Sequence, residues 1–188
     1  MDSFFPYQPN AYWTRSDKVL YGSRHMKWAT DSSDGQYRRS LYIFWKRQNI
    51  HPTMLAFDAP TRQECTAKRN ITNTPGQALA LLNDPIFVEA ARVFAERVCG
   101  LPDSNTDQRL DFLYSQTLQR EPTAKERDVL KQLLREELQH YKNNLDEAER
   151  LTSIGKSTPP PADKQSEIAA WTAVTRSVLN THEFLNRQ

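Results

Sequence analysis

The sequence predicts a mainly α-helical domain of about five or six helices, preceded by an irregular, aromatic-rich N-terminal arm. Three observations support this fold class. Apolar residues recur at helical spacing along most of the chain after residue 74. A capping side chain precedes proline at two neighbouring helix starts. Residues 1–37 show no sustained period, so we assign them to the arm and residues 38–188 to the helical domain.

Local signals define where the helices start and stop. Pro75 and Pro85 each occupy a first helical position, after a threonine and an aspartate cap respectively. Thr123 is followed three residues later by Glu126, which is the capping-box pattern for a long helix. The predicted helices cover about residues 75–82, 85–98 and 107–118, a long stretch after residue 123, residues 145–154 and residues 165–179.

Three segments outside these helices have a different character. Residues 39–46 fit a short helix or a strand, and we favour a short extended segment because their aromatic and β-branched residues suit a strand. Residues 51–60 are predicted to be a loop, since two of them precede proline. Residues 156–162 form a proline-rich connector between helices.

The composition argues against several kinds of site and partner. A net charge of +2 over 188 residues does not indicate a nucleic-acid binder. Two cysteines without a CxxC or CxxCH motif, and four histidines without metal-binding spacing, lead us to expect no cofactor in this chain. No apolar run has the length of a membrane span, and residues 1–13 lack the pattern of a signal peptide.

Polar side chains are concentrated in residues 57–85, which run into two consecutive helices. A buried polar group without a partner costs roughly 1–3 kcal/mol, so such a segment must pair its polar groups or bind something with them. The sequence therefore predicts an ordered polar core or a binding site. We call the following nine residues the polar hub: Asp58, Arg62, Glu64, Cys65, Arg69, Asn73, Gln77, Asn83 and Asp84.

Each part of the polar hub has a functional and a structural interpretation. Basic neighbours would activate Cys65 as a nucleophile, but we favour a buried, small apolar cysteine. The charged members would hold a sugar or carboxylate through bidentate arginine contacts, although ion pairs that pin the loop are our preferred interpretation. The amide members and Asp84 would line a ligand pocket at two helix N-termini, or would cap helices and anchor the loop.

A series of short motifs runs in a fixed order from Tyr37 to the end of the chain. They are YRRSLYIFWK at 37–46, FDAP at 57–60, ECT at 64–66, TNTP at 72–75, QAL at 77–79, LNDP at 82–85, AAWT at 169–172, LN at 179–180 and EF at 183–184. In this order they resemble the C-terminal part of the planctomycete domain of unknown function numbered 1553. That domain ends large exported planctomycete proteins that carry a cytochrome c domain.

This resemblance implies a mostly helical domain, export to the periplasm or beyond, and no established biochemical activity. In long relatives a c-type haem motif lies far upstream, so the implied partners are upstream domains of the same or a neighbouring polypeptide. We expect a non-catalytic scaffold or interaction domain of a larger exported protein. The alternative is a fragment of an exported enzyme that processes polysaccharides or performs haem-linked redox chemistry. The residues form no catalytic constellation, which favours the first hypothesis and leaves the second open.

Overall fold

A computed structural model describes residues 34–38, 40–43, 50–60, 64–68, 70 and 72–186. The chain divides into two compact units, residues 1–80 and residues 81–188. In the described part the protein is mainly helical, with eight α-helices and no strand, which confirms the predicted fold class. The predicted division at residue 37 stays a prediction, because most of the arm lies outside the described residues.

The first unit contains short helical segments. Two 3-10 helices cover Asp34–Tyr37 and Ser40–Tyr42. The helix α1 covers Pro52–Ala56, and α2, which begins in this unit, covers Pro75–Asn83. These helices are too short to be stable alone, so the loops between them need side-chain hydrogen bonds to hold them in place.

Two predictions for the first unit are wrong. Residues 51–60 contain α1, because Pro52 takes the first helical position, where its fixed φ suits a helix and its missing N–H is not needed. Ser40–Tyr42 form a 3-10 helix where we predicted an extended segment, since strand propensity expresses fit to a sheet and the described residues contain none. The rest of that predicted segment, residues 39 and 44–46, lies outside the described residues.

The second unit is built around one central helix. It packs with the other five helices of this unit into a single bundle of six helices, which differ widely in length. They are α3 (Pro85–Cys99), α4 (Thr106–Thr117), α5 (Ala124–Asn143), α6 (Leu145–Thr152), the central α7 (Gln165–Leu179) and the short α8 (His182–Leu185). The helix α7 packs against α3, α5 and α6. A helix that is covered on several sides must be apolar around most of its circumference, and α7 carries buried residues on every turn.

The hydrophobic core of the second unit follows the predicted apolar stripes. In α5, Leu130 and Leu134 are buried, as the spacing predicted. In α7, Trp171, Val174 and Val178 are fully covered, so Trp171 is a core residue. The buried core cluster comprises Ala95, Val98, Leu110, Leu113, Tyr114, Leu130, Leu134, Ala170, Trp171, Val174 and Val178.

Helix ends agree with the sequence signals to within about two residues. The side chain of Thr123 accepts a hydrogen bond from the backbone N–H of Glu126, and the Glu126 carboxylate accepts one from the backbone N–H of Thr123 at 2.7 Å. This is the predicted capping box. The helix α8 was not predicted; Thr181 caps it by accepting from the N–H of Phe184 at 3.4 Å. Four residues are too few for a helical period to be visible in a sequence.

Candidate functional site

Asp58 lies in a hydrogen-bonded cluster of the first unit. It follows α1 with a φ of 54°, a left-handed conformation that aspartate adopts more readily than most residues. Its Oδ2 atom accepts hydrogen bonds from the backbone N–H of Thr72 at 3.1 Å and from the Thr72 hydroxyl at 2.6 Å. The carboxylate thus ties the turn after α1 to the residues that precede α2.

Gln77 extends this cluster into α2 and is only 4 % exposed. Its Nε2 atom donates to the Thr72 hydroxyl at 3.1 Å, and its Oε1 atom accepts from the backbone N–H of Thr74 at 3.2 Å. Its own backbone N–H donates to the Thr74 hydroxyl at 3.4 Å. The Thr72 hydroxyl therefore accepts from Gln77 and donates to Asp58, so a continuous chain of hydrogen bonds joins the buried amide to the carboxylate.

The other members of the polar hub have different environments. Arg62 and Arg69 lie outside the described residues. Asp84 belongs to the second unit and caps α3, where its Oδ1 atom accepts from the N–H of Ile86 at 3.0 Å. The exposed members are Glu64, Cys65, Asn73 and Asn83. Among the described members of the polar hub, Asp58 and Gln77 are joined through a threonine.

That threonine, Thr72, was missed by the sequence analysis. The Thr74 and Gln77 pair carries a local signal, because a hydroxyl followed three residues later by glutamine is a capping-box pattern. Thr72 carries no such signal, since its carboxylate partner lies 14 residues earlier in the chain. No spacing rule covers a contact made across a loop of that length.

The two cysteines differ in accessibility. Cys65 is exposed, so the favoured prediction of a buried, apolar cysteine is wrong. The reason is local: the thiol lies within residues 64–68, all of which are exposed. Cys99 is partly buried at the end of α3, and burial, followed by the nearby carboxylate of Glu167, raises the pKa of its thiol to about 12. A thiol with that pKa is almost entirely protonated at neutral pH, and the thiolate is the reactive form.

We therefore expect iodoacetamide to modify Cys65 at least about tenfold faster than Cys99 in the folded protein at neutral pH. Peptide mass spectrometry over a time course measures both rates in one sample. Cys65→Ser, which should leave only the slow reaction, is the control. Equal rates for the two thiols would show that the burial of Cys99 has been misassigned.

A second buried polar cluster lies on α3 in the second unit. Glu89 is 3 % exposed. Its Oε1 atom accepts from the backbone N–H groups of Lys156 and Ser157, at 2.8 and 2.7 Å, and from the Ser157 hydroxyl at 2.6 Å. A buried carboxylate is stable only when it is well paired, and here the donors come from the connector between α6 and α7.

Arg92, one turn later on α3, holds the same connector. Its side chain is fully buried and pairs with Glu96. Its Nη2 atom donates to the carbonyl of Ser157 at 3.1 Å, and its Nη1 atom donates to the carbonyl of Thr158 at 3.3 Å. The connector is thus bound by a carboxylate through its N–H groups and by a guanidinium through its carbonyls.

Gly155 makes this approach possible. Its φ of +100° is a conformation that residues with a side chain rarely adopt. A Cβ atom at this position would lie 2.2 Å from the Cδ atom of Glu89. The sequence predicts a helix that ends at residue 154, but the contact between Gly155 and Glu89 cannot be inferred from spacing.

Arg120 joins three parts of the second unit. It donates to both carboxylate oxygens of Glu126 on α5, at 2.7 and 2.9 Å. It also donates to both carboxylate oxygens of Glu183 on α8, at 2.7 and 2.8 Å. Its guanidinium lies 5.3 Å from the centre of the Tyr114 ring on α4. The Arg120 hydrogen bond, with further bonds from Thr123, lowers the pKa of Glu126 to about 2.

Because the pKa of Glu126 is depressed in the folded state, its contribution to stability is present above pH 4.5 and is lost as the pH falls through about 2. We expect a loss of about 1 kcal/mol over this range, a value reduced for the partial exposure of the pair. Urea unfolding at neutral pH and at about pH 3 measures the loss. Arg120→Gln should abolish most of it, and an unchanged pH dependence in that variant would contradict the assignment.

The family model described as PSD1, protein of unknown function (DUF1553), matches residues 2–134, which is more than half of the chain. The chain belongs to this family. The DUF1553 match begins within the predicted arm, includes the polar hub, α3 and α4, and ends within α5. Neither the curated proteins nor the solved structures contained a match to the chain.

Two further findings concern the described residues of this DUF1553 protein. None of their helices combines the length and the apolar character that crossing a bilayer requires. Within the same part of the chain, no three His, Cys, Asp or Glu side chains are grouped so that they could hold a metal ion.

Proposed function

We propose that this DUF1553 chain is a non-catalytic scaffold or interaction domain of a larger exported protein, with upstream domains of the same or a neighbouring polypeptide as its partners. The cluster of Asp58, Thr72 and Gln77 is the main support. Its polar groups bind one another and the backbone. These hydrogen bonds tie the turn after α1 to the residues that precede α2. A domain that positions other domains needs segments that are fixed in this way.

The energetics of Gln77 favour this role. An amide that is almost fully buried is costly unless both its donor and its acceptor are used, and Gln77 uses both within the protein. A ligand that took either group would first have to break an internal bond and leave Thr72 or Thr74 unpaired. The cluster is therefore better suited to fixing the entry to α2 than to binding and releasing a substrate.

Arginine and carboxylate side chains in the second unit are used in the same way. Arg109 donates to the carbonyl of Cys99 at 3.2 Å and to the carboxylate of Glu167 at 2.7 Å, so it links α4 to the end of α3 and the start of α7. Glu89 and Arg92 bind the connector before α7. Charged groups that bind fixed backbone atoms hold helices in register, which supports a rigid framework.

A thermal-shift experiment tests the proposal. Gln77→Ala should destabilise the first unit by about 1–2 kcal/mol, because it leaves the Thr72 and Thr74 groups without their partner. Asn73→Ala, at an exposed neighbouring position, should change the stability by less than about 0.5 kcal/mol and is the control.

The same experiment separates positioning from ligand binding. The unaltered protein and Asp58→Asn are heated in the presence of neutral and acidic oligosaccharides and of small dicarboxylates. We expect the same melting temperature with and without each compound, because the polar groups of Asp58, Thr72 and Gln77 already bind one another and the backbone. A rise in the unaltered protein that disappears in Asp58→Asn would identify a ligand site and overturn the proposal.

A further inference from the structure

The connector between α6 and α7 contains three consecutive prolines. We call residues 157–161 the proline strap. Pro159 and Pro161 are exposed and Pro160 is buried. Pro161 has φ −56° and ψ 146°, which is the polyproline II conformation. The three residues before it each precede a proline, which restricts them to the same extended region. The strap is therefore a short, preformed polyproline II segment.

Both ends of the proline strap are fixed. At its start, Glu89 and Arg92 bind the backbone of Ser157, as described above. At its end, the carbonyl of Pro161 accepts from the N–H of Lys164 at 2.9 Å, and the carbonyl of Pro160 accepts from Nε2 of Gln165 at 3.4 Å. A segment held at both ends loses little conformational entropy when a partner binds it.

The backbone carbonyls of the proline strap differ in whether they already accept a hydrogen bond. The carbonyls of residues 157, 158, 160 and 161 all accept hydrogen bonds within the second unit. In the described part of the chain, the carbonyl of Pro159 has no such donor. A polyproline II helix has three residues per turn and so presents three edges. Pro160 turns one edge inward, whereas Pro159 and Pro161 present the other two edges to solvent.

We propose that the proline strap is the segment by which this domain docks onto a protein partner. It enters a groove of the partner that is lined by Trp and Tyr side chains. The rings of Pro159 and Pro161 pack between the aromatic rings, and the carbonyl of Pro159 accepts the indole N–H. Grooves of this kind recognise preformed polyproline II segments. The inference rests on the proposed function, since it names the surface through which the interaction domain engages its partner.

The proposal is tested by NMR titration of the whole chain with an isolated WW module as the probe, because its groove is lined by aromatic rings. We expect saturable, upfield shifts of the Pro159 and Pro161 ring protons. The double variant Pro159→Ala, Pro161→Ala should bind at least about tenfold more weakly. Pro102→Ala, at an exposed proline of the same unit, should bind as the unaltered chain does.

A synthetic peptide of residues 155–164 tests the importance of the anchoring. The peptide should bind the same probe about tenfold more weakly than the whole chain, because it is not held by Glu89 and Arg92. The proposal is overturned by an absence of saturable shifts, by equal binding of the double variant, or by equal binding of the free peptide. Shifts that depend on the concentration of the chain alone would indicate self-association and would also overturn it.

The result of the binding test on the proline strap is independent of the result of the thermal-shift test of the proposed function. If the proline strap does not bind the aromatic probe and no compound stabilises the protein through Asp58, the domain remains a scaffold and docks through another surface. If a compound does stabilise it through Asp58, the proposed function fails whatever the strap binds.

Discussion

Gly155→Ala is expected to destabilise the second unit by about 3 kcal/mol. Two effects add at this position. The φ of +100° is strained for alanine, and the new methyl group would lie 2.2 Å from the carboxyl carbon of Glu89. Glu89 is buried and binds the connector through three hydrogen bonds, so moving its carboxylate away from the new methyl group would break them. Urea unfolding, followed by circular dichroism and by hydrogen exchange in α3 and α7, measures the loss.

Gly76→Ala is the matched control, with an expected effect of opposite sign. Gly76 lies in the first turn of α2, and among the described residues a Cβ atom there would meet the Thr74 hydroxyl at an ordinary 3.7 Å. Alanine restricts the unfolded chain more than glycine does, so this variant should be more stable by about 0.5–1 kcal/mol. Equal destabilisation by both substitutions would show that the environment of Gly155 is not special.

A chain that ends after residue 134, where the DUF1553 match stops, is expected not to fold its second unit. It lacks α7, which supplies Trp171, Val174 and Val178 to the core. Without them, the apolar faces of α3, α4 and the remaining half of α5 stay open to water, and the burial that stabilises the unit is lost. Circular dichroism and limited proteolysis should show lost helix and rapid cleavage after residue 81.

The control for this truncation is a chain that ends at residue 179. It removes α8, which has no buried residue, and the pairing of Glu183 with Arg120. It should keep the bundle, with a modest loss of stability. Cooperative unfolding of the chain that ends at residue 134, with protected amides in α3 and α4, would contradict the central role of α7.

The sequence predicted most of what is local in this fold. Asp84 and Thr123 cap their helices as expected, because a cap depends on residues two or three positions away. The apolar stripe of α7 was likewise predictable from its helical period. The helix α1 was missed because a five-residue helix has no period, although the proline at its first position was a usable signal.

The polar contacts between distant segments could not be predicted in the same way. Glu89 and Arg92 are of residue types that are rarely buried, and their partners lie more than 60 residues further along the chain. Asp58 and Gln77 were both named in the polar hub, but the threonine that joins them was not. Local spacing identifies residues with the capacity to pair, whereas the folded chain determines which pairs form.

Calorimetric titration of the chain with the upstream region that the family resemblance implies for longer relatives tests the proposed positioning role most directly. We predict saturable binding that Asp58→Asn leaves intact once its lower stability is taken into account, with no turnover of oligosaccharide substrates by the complex. The absence of any binding, together with turnover that is lost in Asp58→Asn or Cys65→Ser, would contradict a positioning role and would identify the polar hub as a reaction site.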